Sequence, residues 1–204
     1  MGVDALNEQR IVTRERATQE TQIRLTLNLD GEGAARLKTG IGFFDHMLTA
    51  FSRHGLFDLE VTVQGDLEVD GHHTVEDTGL VLGAAFREAL GDKSGIQRFG
   101  SSYVPMDESL VLAVVDLSGR PYLAFEGFHF DVPMLGAFDV TLTHEFFRAF
   151  ANECGCNLHL RALACGNAHH VIEAAFKATG RALREAVARD ARIKGVLSTK
   201  GMLA

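Results

Sequence analysis

Between Thr21 and Leu29 the chain alternates, with Ile23, Leu25, Leu27 and Leu29 on one side and Arg24, Thr26 and Asn28 on the other. That two-residue period predicts a half-buried strand. The DGEG that follows is turn chemistry and predicts a hairpin return toward residues 34–38. The period then lengthens: residues 42–55 carry GFFDHMLTAFSRHG, a predicted helix with Gly55 placed to end it in the left-handed conformation. LFDLEVTVQGD alternates again as a strand. From about residue 71 or 73 to Leu90, an apolar stripe of Leu80, Leu82, Ala84 and Phe86 marks a second helix that stops at Gly91.

The second half repeats this order. YVPMDESLVLAVVDLSGRPYLAFEGFHF reads as strand, turn, strand, with Val111, Ala113 and Val115 on one face and SGRP as the turn. THEFFRAFANECG is then a helix, NLHLRALACG a strand and HHVIEAAFKATGRALREAVARD a long helix. The halves also share particular residues: His72, His73 and Glu76 recur 97 positions on as His169, His170 and Glu173, and His46 recurs 98 positions on as His144. An internal duplication accounts for this, each half being a small βα unit that needs its twin to cover its core. The division falls at GDKSG, giving half-domains 1–92 and 93–204 in one compact unit, with GVLSTKGMLA as a polar C-terminal tail.

Composition narrows the partners. At 46% hydrophobic and 23% charged, the 204 residues suit an ordered globular protein. A net charge of −7, with scattered basic residues, makes nucleic acid a poor partner. No apolar run approaches a membrane span and MGVDALNEQR carries no signal-peptide apolar region, so the expected location is cytoplasmic. Cys154, Cys156 and Cys165, an odd number without a secretion signal, read as reduced thiols that pack rather than ligate.

The repeated histidines carry the chemistry. On a helix, positions i and i+4 share a face whereas neighbours point about 100° apart. His72 can therefore work with Glu76, and His169 with Glu173, while His73 and His170 look elsewhere; each HHxxE helix can serve two metal centres. The set of His46, His72, His73, His144, His169, His170, Glu76 and Glu173 divides into three imidazoles and one carboxylate per centre. An octahedral ion so held keeps two open positions, the mark of a catalytic rather than a structural site. The donors alone specify only a divalent transition metal.

FFDHML at 43–48, RHGLFDL at 53–59, DGHHTVEDTG at 70–79, DLSGRPYL at 116–123, HHVIEAAFKATGRALR at 169–184 and LSTKGML at 197–203 resemble the imidazoleglycerol-phosphate dehydratase family, in order, from about residue 10 onward. The resemblance implies an α+β fold of duplicated half-domains, each a mixed four-stranded sheet with two helices, the helices packed between the two sheets as in domain 2 of ribosomal protein S5. It implies two manganese ions per active site and the dehydration of D-erythro-imidazoleglycerol phosphate to imidazole acetol phosphate in histidine biosynthesis. It also implies an octahedral homo-oligomer of 24 chains with active sites between subunits. Glu20 matches a family glutamate near the substrate and is the expected acid/base, with Asp77 and Glu173 as fallbacks. Arg98, Arg120, Lys177, Ser198 and Lys200 match positions around the phosphate, with Arg53 and His54 in the same substrate-binding set.

That reaction poses a definite problem. The hydrogen lost from carbon lies beside an imidazole ring, not a carbonyl, so it is barely acidic, and cations on both ring nitrogens would make the ring an electron sink. The chain ends soon after STKG, which leads us to expect a single activity. The rival readings are another dinuclear metal-dependent lyase or hydrolase acting on a small phosphorylated substrate, and a metal-clamped assembly without turnover. A hydrolase would lean on several aspartates, whereas here only two glutamates recur.

Overall fold

In the first half, β1 (Ile11–Ala17) and β2 (Thr21–Asn28) pair antiparallel, followed by β3 (Ala35–Lys38), α1 (Gly42–Gly55), β4 (Asp58–Gly65) and α2 (His72–Leu90). The structure, a computed structural model, describes residues 10–203; the N-terminal stretch read above for a leader lies outside them but for Arg10. The second half follows with β5 (Phe99–Met106), β6 (Ser109–Asp116) and β7 (Tyr122–Glu126). A short hairpin, β8 (Met134–Leu135) and β9 (Phe138–Asp139), precedes α3 (Leu142–Cys154), β10 (Asn157–Ala164) and α4 (Ala168–Val187). The two large sheets have matching orders, β1-β2-β4-β3 and β5-β6-β10-β7, each mixed because its last strand runs parallel to its neighbour. Among the described residues, only the second half has the extra hairpin.

An expected hairpin and an expected turn between neighbouring strands are corrected here. DGEG does not return the chain beside β2, because β2 already pairs with β1 and β4; the chain crosses to the far edge and β3 joins β4 in parallel. SGRP likewise leads away from β6, which is flanked by β5 and β10, to β7 at the other edge. The first tight turn is instead at residues 18–20, where the Thr18 hydroxyl accepts the backbone N–H of Glu20 at 3.1 Å and of Thr21 at 3.0 Å. This hydroxyl turn uses no glycine or proline, and it fixes the place of Glu20.

Both sheets turn their apolar faces to the helices. Ile23, Leu25, Leu27 and Val61 of one sheet, and Val111, Ala113, Val115, Leu158 and Leu160 of the other, are buried. Phe44, Phe51, Phe86, Phe146, Phe150 and Phe176 fill the space between, several in edge-to-face pairs. The helices pair across the halves, α1 with α4 and α2 with α3. Glycines permit this approach: a Cβ on Gly180 would lie 2.5 Å from the backbone oxygen of Phe51, and one on Gly83 would lie 2.5 Å from that of Phe150. Gly55 serves the same contact rather than capping α1, since Leu56 takes the left-handed turn at φ 56° and a Cβ on Gly55 would meet Gly180 O at 3.1 Å. Cross-pairing decides which histidines meet.

Cys154 and Cys156 are buried, Cys165 is half-buried, and all three are free thiols. No helix among the described residues is long and apolar enough to cross a membrane.

Candidate active site

Each HHxxE motif opens a helix, and a short polar side chain sets its first turn. Asn167 caps α4 by accepting the N–H groups of His169 at 2.8 Å and His170 at 3.3 Å. Asp70 accepts the N–H of His72 at 2.7 Å at the corresponding place before α2. The adjacent rings then diverge as the helix dictates, with interplanar angles of 88° for His72 and His73 and 78° for His169 and His170.

At the α1–α4 pair, Oε2 of Glu173 lies 3.1 Å from Nε2 of His46 and 3.0 Å from Nε2 of His169, while Lys177 Nζ sits 2.7 Å from Oε1. Glu173 is only 7% exposed. Burial pulls its carboxyl upward, but the hydrogen bond and charge of Lys177, with His169 and His46, outweigh that and hold it below the ordinary value. His54, also on α1, is pushed down by burial and by the charges of Lys177 and Arg181. Arg53 is exposed in the last turn of α1.

The α2–α3 pair gathers His72, Glu76 and Glu145, with His72 Nε2 3.4 Å from Glu76 and Arg148 bridging Glu76 at 2.9 Å and Glu145. His144 is next to this group, its Nδ1 3.2 Å from Glu145 and its ring edge-on to Phe125. The other two histidines face away from these clusters. His73 Nδ1 lies 2.9 Å from Asp66 and its Nε2 3.7 Å from Glu20, and His170 Nδ1 lies 3.0 Å from Glu108. The Asp66 hydrogen bond leads in raising the affinity of His73 for its proton. Glu108 is held down to about 2, first by the N–H of Asn167.

Asp77 points into neither cluster. It is buried, bonded to the Thr21 hydroxyl and paired with Arg16 at 3.1 Å, so it braces the turn that carries Glu20. Arg98, Arg120, Ser198 and Lys200 line one pocket at the far end of α4. Arg98 is set there by a two-point pair with Asp116 at 2.7 and 3.1 Å, and donates to Leu197 O of the tail at 2.7 Å. Glu145, Arg148, Asp66 and Glu108 were not singled out in the sequence. Only the place of Glu108 could have been found there, since it precedes β6 as Glu20 precedes β2.

Two imidazole nitrogens and a carboxylate, all within 4.8 Å, fit a divalent transition ion; three acidic or imidazole ligands meet at the second cluster in the same way. Known proteins resemble the chain over most of its length. The family model described as imidazoleglycerol-phosphate dehydratase matches residues 39–183. The imidazoleglycerol-phosphate dehydratase of Acetivibrio thermocellus is 57% identical over 188 residues, covering 92% of this chain and 96% of that protein. That of Pelobacter propionicus is 57% identical over 196 residues, 95% of this chain and 99% of that protein. Among solved structures, the enzyme from Staphylococcus aureus subsp. aureus N315 superposes with a TM-score of 0.80 at 39% identity, over 88% of this chain and 99% of that one. The Pyrococcus furiosus enzyme in complex with (S)-C348 gives 0.77 at 39% identity, over 93% and 100%. With its duplicated α+β architecture and paired histidine clusters, the chain belongs to the imidazoleglycerol-phosphate dehydratase family.

Proposed function

We propose that this chain removes water from D-erythro-imidazoleglycerol phosphate to give imidazole acetol phosphate, a step of histidine biosynthesis in the cytoplasm, using two manganese ions per site. The observation that carries the reading is the convergence of His46, His169 and Glu173 at one helix pair, matched by His72, Glu76 and Glu145 at the other. These residues, with His144 beside the second cluster and His73 and His170 facing outward, would hold the metal. Manganese held by these residues would supply the positive charge that makes the substrate's ring accept electrons.

The protein's own groups do the rest. Glu20, exposed and beside His73 Nε2, moves the proton at the carbon next to the ring. Arg98, Arg120, Ser198 and Lys200 bind the phosphate, and guanidinium forks suit its oxygens. Lys177 keeps Glu173 ionised. Asp77 holds the Glu20 turn in place through Thr21.

Distance along α4 supports sites shared between chains. Arg98 is anchored to Ala186 O at one end of the helix and His169 stands at the other, a rise of about 25 Å. An imidazole joined to a phosphate by three carbons cannot bridge that span. The phosphate pocket of one chain therefore serves the metal cluster of another, within a homo-oligomer that we take to be the octahedral 24-mer.

The test is turnover by metal-stripped protein, with and without added manganese. Manganese-restored dehydration is expected; folded, metal-loaded protein that turns over no imidazoleglycerol phosphate defeats the reading. Arg98→Ala and Arg120→Ala should raise KM, and a change in metal content alone would remove them from the phosphate site.

A further inference from the structure

His73 and His170, the histidines that the clusters leave facing outward, are each held at Nδ1 by a carboxylate from their own half. Asp66 lies 2.9 Å from Nδ1 of His73, and Glu108 lies 3.0 Å from Nδ1 of His170. These carboxylates come from different places in the repeat. Glu108 occupies the turn before β6, the position that Glu20 occupies before β2. Asp66 directly follows β4, and the residue directly following β10 is Cys165. That thiol cannot stand in: it donates to His129 O at 2.9 Å and accepts the N–H of His129 at 3.3 Å.

A ring whose Nδ1–H is donated to a carboxylate has one tautomer and one orientation, with the lone pair at Nε2. We infer that Asp66 and Glu108 are positioning residues that aim Nε2 of His73 and His170 at the metal centres, and that Asp66, by taking this task in the first half, leaves Glu20 alone free for proton transfer. The inference rests on the metal-dependent reading above. Glu108 is engaged through both oxygens: Oε2 faces His170 Nδ1, while Oε1 accepts the N–H of Asn167 at 2.8 Å, the residue that caps α4, and the hydroxyl of Ser109 at 3.1 Å. Glu20 has its oxygen 3.7 Å from His73 Nε2 and a side chain 54% exposed. One duplicated turn thus yields a proton-transfer group in the first half and a histidine holder in the second.

The experiment is equilibrium dialysis of metal-stripped full-length protein against manganese, with wild type beside Asp66→Ala, Asp66→Asn, Glu108→Ala, Glu108→Gln and Glu20→Gln. The alanine variants should bind manganese about 10–100-fold more weakly, and the amides, which keep an acceptor for Nδ1–H but lose the charge, should fall between. Glu20→Gln should bind as wild type does. A role confined to loop structure would lower the melting temperature of the metal-free protein without this order of affinities. Should the alanine variants fail to fold, the amides decide. Asp66 and Glu108 variants that bind manganese as tightly as wild type overturn the positioning role, and a Glu20→Gln variant weakened like Glu108→Ala overturns the division of labour. Wild type that binds no manganese defeats the metal reading itself, which separates the two failures.

Discussion

Around Glu173, two imidazoles and the Lys177 ammonium converge on a carboxylate whose side chain is 9% exposed; around Glu76, one imidazole, a second carboxylate and the Arg148 guanidinium meet where Glu76 and Glu145 side chains keep 28% and 25% of their surface. The motif is the same and the helix pairing is the same. What differs is how each acidic group is balanced, by a partly buried amine one turn along its own helix or by a more exposed guanidinium from the facing helix. Duplication therefore conserved the two inward ligands of each motif, while the surrounding charges diverged. The outward histidines diverged likewise, one held by Asp66 and the other by Glu108.

The largest expected effect breaks the symmetry of the two β-turn glutamates. Glu20→Gln should lower kcat by about 10²–10⁴-fold with metal content unchanged, since it removes a proton-transfer group. Glu108→Gln should lose activity at limiting manganese and recover it in excess. Steady-state kinetics across a manganese titration checks both, and equal, irreversible losses would make the two turns equivalent after all.

The next test compares the balancing cations. Lys177→Met strands a buried carboxylate and should cost the metal-free protein about 2–3 kcal/mol, less than a fully enclosed pair because Lys177 keeps some contact with water. Arg148→Met removes a half-exposed pair and should cost no more than about 1 kcal/mol. Urea unfolding of the metal-free variants measures the difference. A larger loss at Arg148 would mean that burial does not distinguish the clusters.

Much of this was legible in the sequence, for identifiable reasons. The apolar periods marked the four inner strands β2, β4, β6 and β10 and all four helices, and the 97-residue offset revealed the duplication because the HHxxE spacing is rigid. Strand order was less accessible, since the crossing of β3 and β7 to the far edges depends on which neighbours β2 and β6 already have. The break between β1 and β2 is made by a threonine hydroxyl rather than by glycine or proline, and so gave no punctuation. Glu145 and Arg148 enter through a helix–helix contact between halves, which no local pattern records. Residues that face one another across a duplication have to be seen folded.

The glycines let that contact be tested on both sides. Gly83 and Gly180 hold the same place in the repeat, and at each a Cβ would lie 2.5 Å from a backbone oxygen of the facing helix. Alanine would gain about 1 kcal/mol of helix propensity. The contact is with backbone, which cannot step aside, so a net loss of about 1–2 kcal/mol is expected within the range for overpacking. Gly180→Ala should weaken manganese at the His46 cluster and Gly83→Ala at the His72 cluster, by thermal melts and metal titration. Neutral or stabilising substitutions would show that the helices have room to part without disturbing their ligands.

The smallest effect concerns the start of the third strand in each sheet, where Asp58 opens β4 and Asn157 opens β10. Asp58 accepts the N–H groups of Glu32 and Ala34, both at 2.9 Å, and so holds the connection between β2 and β3. Asn157 holds the matching connection with an amide, donating to Arg120 O at 2.6 Å. Burial pulls the Asp58 carboxyl upward, but the N–H groups of Ala34 and Glu32 and the Asn28 amide together leave it below its ordinary 3.8. A carboxylate depressed on folding stabilises above its unfolded value and loses that stabilisation as pH falls through the folded one, so the contribution fades below about pH 4. Amide exchange, corrected for its intrinsic pH dependence, should show Glu32 and Ala34 opening in acid while the segment around Arg120 stays protected. Asp58→Asn should abolish the pH dependence and cost at most about 1 kcal/mol at neutral pH, because both bonds go to Oδ1, which an amide oxygen can replace, and only the Asn28 contact at Oδ2 is lost. If both connections loosened together in acid, the first half would be yielding as a whole, and the carboxylate at Asp58 would not be what separates it from the second.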